Sequence, residues 1–374
     1  MIEPKLRFKA DDGSQFPDWE KKKLEDVVKF LDGQRKPLEA GQRVSGKYPY
    51  YGASGIIDYV EDYIFDEELI LLSEDGANIL DRNYRVCFLA KGKYWVNNHA
   101  HVLRAMDGDV NGFICEQLET FDYRKYNSGG AQPKLNQATC RAIIMNMPSL
   151  PEQQKIAEFL STVDTVIEKQ KETVSAWEER KKGVMQKLFS QEVRFKADDG
   201  SEFPEWEEKK LGNVADVKVG EKPTLVSDNA AYEYVNAGTT NSGYVDSYNC
   251  DGDTVTTPSR GQGGIGYVGY QKHEFWLGPL CYKIKSNKDD VLTKFMYYAL
   301  SFDSKKIADL KKVGTIPAIN RADLIELYMK FPCLAEQQKI ADCLSSLDEV
   351  IEKQKATLAV WEELKKGLLQ QMFV

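Results

Sequence analysis

The chain has 374 residues, of which 42% are hydrophobic and 29% charged, and a formal net charge of −8. The length suggests two or three domains of an ordinary soluble protein. The negative balance argues against nucleic acid as a partner, because phosphate binding normally leaves a basic footprint, although a local basic groove can sit on an acidic whole. No apolar run reaches the roughly 18 residues of a membrane helix. The opening stretch, MIEPKLRFKADDG, has no apolar signal-peptide core, so a cytoplasmic protein with no membrane partner is expected. Seven cysteines (Cys87, Cys115, Cys140, Cys250, Cys281, Cys333 and Cys343) are odd in number and form no C-x-x-C pair. They read as reduced, mostly buried thiols and not as a disulfide framework or zinc site.

In chain order, residues 7–27 (RFKADDGSQFPDWEKKKLEDV) return at 194–214 (RFKADDGSEFPEWEEKKLGNV), an offset of 187. Gly13, Pro17, Gly200 and Pro204 make each copy a turn-rich lead-in, with Trp19 and Trp206 as packing anchors. From residue 28 to 126 the pattern is strand-like at 48–57, 63–73 and 84–89, followed by a short amphipathic helix over 112–125. Residues 218–286 are likewise strand-rich, with a helix over 291–310. Similarity between the halves returns at a G-x-x-P-x-[LI]-N loop, Gly130–Asn136 and Gly314–Asn320, followed by apolar strands over 142–147 and 325–331. Asn136 and Asn320 are placed to cap the turns after them.

Each half ends in a long helix. Residues 148–189 and 332–373 are identical at 26 of 42 positions, at an offset of 184. Ile156, Leu160, Val163, Ile167, Gln170, Val174, Trp177, Lys181, Val184 and Leu188 alternate in steps of four and three. The second copy repeats this at Ile340, Leu344, Leu347, Ile351, Gln354, Leu358, Trp361, Lys365, Leu368 and Met372. A sustained 3.5-residue repeat marks a coiled coil, and each helix would be roughly 55 Å long. Taking the helices as 152–188 and 336–372, antiparallel pairing about their midpoints should bring Gln170 level with Gln354.

Two phosphate-loop patterns fail on context. In Gly41–Tyr48, Tyr48 stands where a Ser or Thr would hold magnesium. Gly261–Gly266 runs into a strand pattern, whereas a dinucleotide fingerprint must open a helix. His99 and His101 form an H-x-H pair and His273 stands alone, without an acidic cluster; a metal site is not expected. No catalytic constellation is recognisable, so no catalytic residue is assigned. Polar and aromatic side chains of the two variable regions remain as candidate DNA-binding residues. They are Arg35, Lys36, Lys47, Tyr50, Ser54, Arg82, Asn83, Lys134 and Asn136 in the first, and Lys222, Thr239, Asn241, Arg260, Gln262, Lys272, Asn320 and Arg321 in the second. Arg, Lys, Asn and Gln read purine edges, and Arg and Lys also neutralise phosphates.

P-[SC]-L-x-E-Q-Q-K-I-A at the helix starts, D-x-V-I-E-K-Q-K within them, the G-x-x-P-x-[LI]-N loops, the stretch YPYYGASG at 48–55 and the duplication together resemble the specificity subunit of type I restriction–modification systems. The resemblance covers essentially the whole chain. It implies an α/β (α+β) fold: two duplicated target-recognition domains separated by two long antiparallel coiled-coil helices about a pseudo-two-fold axis. The expected divisions are 1–149 (first recognition domain with lead-in), 150–190 (first long helix), 191–333 (second recognition domain) and 334–374 (second long helix). It further implies double-stranded DNA as ligand, with each domain reading half of a bipartite target. Two modification (methyltransferase) subunits are implied as partners, and restriction (motor/nuclease) subunits join them. S-adenosylmethionine is expected in the methyltransferase subunits and no cofactor in this chain, which is expected to be non-catalytic. The alternatives are a coiled-coil scaffold displaying two protein-binding domains without DNA, and an enzyme with an unfamiliar site at Gly261–Gly266.

Overall fold

The computed structural model describes residues 4–373 except Asp107, Gln262, Val313 and Thr315. It resolves into two compact units, Met1–Lys171 with Ala356–Val374, and Glu172–Lys355. The long helices, Leu150–Phe189 and Leu334–Met372, are therefore each divided between the two units.

In the first unit the lead-in strand Glu20–Lys23 pairs antiparallel with Ile144–Met147. A four-stranded antiparallel sheet follows in the order Val28–Phe30, Ala100–Ala105, Leu69–Ser73, Cys87–Ala90. A second sheet has the order Gly55–Val60, Ser45–Gly52, Lys93–Val96, Phe65–Asp66. Leu69–Ser73 is buried at every position. Because strand side chains alternate, Ile70 and Leu72 enter the core beneath helix Asn111–Thr120, whereas Leu69 and Leu71 pack with Phe65, Tyr94 and Val96 on the other face. Burial on both faces explains the unbroken apolar run, each such side chain contributing roughly 2 kcal/mol. Ile156 and Leu160 of the first long helix and Met372 of the second complete the first core.

The second unit repeats the plan. Glu207–Lys210 pairs with Tyr328–Phe331, and the larger sheet runs Ala215–Val219, Cys281–Ser286, Thr254–Pro258, Gly269–Gln271. A smaller sheet contains Tyr244–Val245, Tyr232–Val235 and Trp276–Leu277. Helix Thr293–Phe302 covers the larger sheet, and Leu188, Ile340 and Leu344 enter its core.

Several expected elements are shorter or divided. The helix expected over 112–125 ends at Thr120, where Phe121 turns extended, and the buried Tyr123 hydroxyl folds back to donate to the Leu118 carbonyl at 2.8 Å. The helix expected over 291–310 is two, Thr293–Phe302 and Ser304–Asp309. Short helices Gln137–Arg141 and Arg321–Ile325 lead into the two expected apolar strands, which begin later than expected, at Ile144 and Tyr328. All seven cysteines are free thiols, five of them buried.

Ion pairs fix how the long helices meet. In the first unit Lys365 Nζ lies 2.5 Å from Asp164 Oδ1, and Lys171 Nζ lies 3.8 Å from Glu362 Oε1. In the second, Lys181 Nζ lies 2.5 Å from Asp348 Oδ1, and Lys355 Nζ lies 2.6 Å from Glu178 Oε1. Within each unit the numbering rises along one helix as it falls along the other, so the segments are antiparallel. The second set is the first displaced by 184 residues. These ion pairs lock the two helix segments together within each unit. Ile156, Leu160, Val163, Ile167, Val174, Leu188, Ile340, Leu344 and Ile351 are buried, as the seam requires, while Leu347, Leu358 and both tryptophans are half-buried.

Candidate nucleic-acid interface

The E-Q-Q-K stretch at each helix start is a clamp. Glu152 is fully buried and accepts from Arg7 at 3.0 and 2.8 Å and from Trp19 Nε1 at 3.2 Å. Gln153 accepts from the Val110 amide at 3.1 Å and donates to the Pro148 carbonyl at 3.0 Å. Lys155 donates to the Lys9 carbonyl at 2.8 Å and to Asp11 at 2.6 Å. The second unit repeats the set: Glu336 with Arg194 and Trp206, Gln337 with the Leu292 amide and Pro332 carbonyl, and Lys339 with the Lys196 carbonyl and Asp198. Trp19 and Trp206 are anchors as expected, but through polar bonds as well as packing. The sequence carried the signal, since the four letters are identical in both copies, yet no role had been attached to Glu152 or Gln153.

The clamps leave the opposite end of each sheet free, and there the shared G-x-x-P-x-[LI]-N loop is mounted. In the first unit the Gly76 amide donates to the Pro133 carbonyl at 3.1 Å, the Leu135 amide to the Glu74 carbonyl at 2.8 Å, and the Glu74 amide to the His99 carbonyl at 2.8 Å. Asp75 and Lys134 form an isolated β-bridge. In the second unit the Gly261 amide donates to the Pro317 carbonyl at 3.1 Å, the Ile319 amide to the Ser259 carbonyl at 2.8 Å, and the Ser259 amide to the Leu280 carbonyl at 2.9 Å. Arg260 and Ala318 form the bridge. Glu74-Asp75-Gly76 and Ser259-Arg260-Gly261 are therefore equivalent, each directly following the buried central strand. A hairpin tip adjoins each mount: Ser73 Oγ donates to the Ala53 carbonyl at 2.5 Å, and a Cβ on Gly264 would stand 2.3 Å from the Ala237 carbonyl.

Lys134 and Asn136 lie on the first loop rim, with Ser54 next to Ala53 at its hairpin tip, and Arg260 and Asn320 lie on the matching rim; Thr239 and Asn241 follow Ala237 by two and four residues. Gln262 lies outside the described residues. Asn136 Oδ1 caps helix Gln137–Arg141 by accepting from the Thr139 amide at 2.8 Å, whereas Asn320 holds the N-cap position with no side-chain cap bond. Two candidates are corrected. Tyr50 is 1% exposed, with its hydroxyl accepting from the Leu38 amide at 2.9 Å, and no ligand reaches it. Arg35 is spent on Glu74 Oε2 and the Ala100 carbonyl, both at 2.7 Å, and on the Asp32 carbonyl at 3.1 Å; it braces the mount from beneath. Arg82 turns to Glu119 at 3.0 Å and Arg321 Nε to the Val217 carbonyl at 2.6 Å. Lys36, Lys47, Asn83, Lys222 and Lys272 are exposed, and none of the bonds that build the two rims involves them.

The H-x-H pair supports the first mount. His101, 1% exposed, holds the Leu135 carbonyl at 2.8 Å through Nε2 and Asp32 at 2.7 Å through Nδ1. Burial opposes charge on the ring, but the Asp32 hydrogen bond outweighs it, together with Cys140, and pushes the pKa up to about 10. Burial likewise works against the Asp32 carboxylate, and the imidazole overcomes it and holds that pKa below its usual value. In the second unit Tyr282 stands in this place, its hydroxyl donating to the Ile319 carbonyl at 3.1 Å.

The model of the type I restriction modification DNA specificity domain matches the chain twice, over residues 17–175 and 204–360. A putative type I restriction enzyme specificity subunit of Haemophilus influenzae is 36% identical over 38% of this chain, a stretch that spans only 36% of that protein. The MjaVIII specificity subunit of Methanocaldococcus jannaschii is 26% identical over 97% of this chain and 94% of that protein. The crystal structure of a type I restriction–modification S subunit from M. genitalium has the same fold, with a TM-score of 0.72 over 100% of this chain and 99% of that one at 18% identity. With two copies of the domain matched, each carrying its own clamp and its own loop mount, the chain belongs to the type I restriction–modification DNA specificity family.

Proposed function

We propose that the chain is the target-reading subunit of a type I restriction–modification complex. Each unit reads one half of a bipartite duplex sequence through the rim built on its G-x-x-P loop. The reading is carried by one observation: the same main-chain mount is built twice, yet it presents Asp75 and Lys134 in one unit and Arg260 and Ala318 in the other. A fixed frame with exchanged side chains suits two readers of different sequences. The long helices, each shared by both units, set the gap between half-sites and dock two modification subunits. Those subunits supply S-adenosylmethionine and methyl transfer, and restriction subunits supply cleavage. The chain itself contributes recognition and no chemistry.

The test is duplex binding by the chain assembled with its modification subunit. Sequence-dependent binding that weakens steeply as salt rises supports the reading. Binding to neither specific nor random duplex would leave the protein-binding scaffold as the better account.

A further inference from the structure

We infer that Arg260 reads a guanine in the half-site taken by the second unit, and that Asp75 makes the other half-site differ at the equivalent position. This rests on the proposed role in DNA recognition. Arg260 directly follows the mount's Ser259, whose amide and carbonyl are both bonded, and directly precedes Gly261, whose amide is bonded to Pro317. Gly261 takes a φ of +135°, a conformation glycine adopts freely. The main chain is thus fixed on both sides of an exposed arginine.

Of the twelve arginines in the sequence, the others are committed within the protein. Carboxylates hold Arg7, Arg35, Arg43, Arg82, Arg85, Arg104, Arg124 and Arg194. Arg321 bonds a carbonyl, Arg141 lies over Phe30 and Arg180 over Trp177. Among the described residues Arg260 alone has no hydrogen-bond, ion-pair or ring partner for its guanidinium. Its fork of donors fits O6 and N7 of guanine, and using it breaks no internal bond. In the first unit the same place holds Asp75, both oxygens 2.9 Å from His99 Nδ1. A carboxylate offers no donor to guanine O6 or N7 and instead accepts from the amino groups of cytosine or adenine.

The experiment is selection from a randomised duplex pool by the chain assembled with its modification subunit, in wild-type form and as Arg260→Gln, Arg260→Lys and Asp75→Asn. The wild type should yield a bipartite motif. Arg260→Gln should relax one guanine in one half-site, reducing that preference roughly ten- to a hundredfold. Arg260→Lys keeps the charge but loses the fork, so it should relax the same guanine while keeping the salt dependence. Asp75→Asn should alter only the other half-site. An unchanged motif in both Arg260 variants overturns the assignment. So does a uniform loss of affinity without a change of motif, which would mark a phosphate contact, or a change in both half-sites. Failure of the wild type to select any sequence refutes the DNA reading itself, a result distinct from the others.

Discussion

Replacing Glu152 by alanine should cost the first unit about 3 kcal/mol, the lower end for breaking a buried ion pair. The carboxylate is fully buried and Arg7 is 14% exposed, so water screens the pair little. Removal leaves the Trp19 indole N–H without its acceptor and strips two bonds from the guanidinium, which keeps main-chain carbonyls such as that of Pro17 at 2.8 Å. Glu152 also sits in the first turn of its helix, where a negative charge is favourable by a further few tenths of a kcal/mol. At about 2–4 °C per kcal/mol for a unit of this size, the thermal midpoint should fall by roughly 6–12 °C. Urea unfolding gives the free energy, and hydrogen exchange resolved by peptide should place the loss at Glu20–Lys23 and Ile144–Met147. Glu336→Ala should act alike on the second unit, since its Arg194 and Trp206 bonds are the same. The double variant Arg7→Met, Glu152→Leu should recover at least half the loss, because two apolar partners leave no charge stranded. A loss below about 1 kcal/mol in Glu152→Ala, or no recovery in the double variant, would refute the account of this clamp.

Three further outcomes are expected. His101 is held protonated by Asp32, with Glu74 at 3.7 Å and Arg35 beside them; its raised pKa stabilises the first unit fully below about pH 6.5, and that contribution is lost as pH rises through about 10. Urea unfolding across that range should show the decline in wild type and a flatter profile in His101→Gln, whereas parallel profiles would count against it. Lys365→Met leaves Glu116 and Asp164 with Arg85, at 2.6 and 3.8 Å, and Lys181→Met leaves Asp348 with the Tyr298 hydroxyl at 2.7 Å, so each should cost about 1 kcal/mol and not the roughly 3–5 kcal/mol of a stranded buried charge; a loss above about 3 kcal/mol in urea for either would argue against it. Four residues inserted after both Lys169 and Lys353 should lengthen the gap between half-sites by one or two base pairs, at 1.5 Å of helix per residue, and leave both half-sites unchanged in the methylome. The same insertion in one helix alone should impair folding, because seventeen residues separate Asp164 from Lys181 and Asp348 from Lys365 and no single register then keeps both locks; a normally folded single insertion would disprove the locks.

What was legible in the sequence was what repeats. The lead-ins, the G-x-x-P loops, the long helices and their apolar seam lie where periodicity and offset place them, and Asn136 caps as its residue type suggests. The candidate site was legible only in part, for a physical reason. The two mounts are held by amide-to-carbonyl bonds, which leave no trace in side-chain identity, so Glu74-Asp75-Gly76 and Ser259-Arg260-Gly261 share only a glycine. Composition likewise cannot separate a spent guanidinium from a free one, and Arg35 and Arg260 look alike until their bonds are counted. Tyr50 reads as a surface aromatic beside glycines, yet its hydroxyl satisfies the Leu38 amide within the fold.

The way the clamp grips its cargo bears on how such a protein diversifies. Gln153 holds the Val110 amide and the Pro148 carbonyl, Gln337 holds the Leu292 amide with the Pro332 and Asp290 carbonyls, and Lys155 and Lys339 each hold a lead-in carbonyl. Apart from Asp109 at Gln153, the glutamines ask of the inserted domain a chain path and not a set of side chains. An inherited segment from a distant relative can therefore be seated in the same socket by a single exchange of gene sequence, without co-ordinated mutation in the helix that receives it. Novelty in the recognised sequence is then acquired in whole-domain steps, while the receiving helix can stay nearly unchanged through many such replacements.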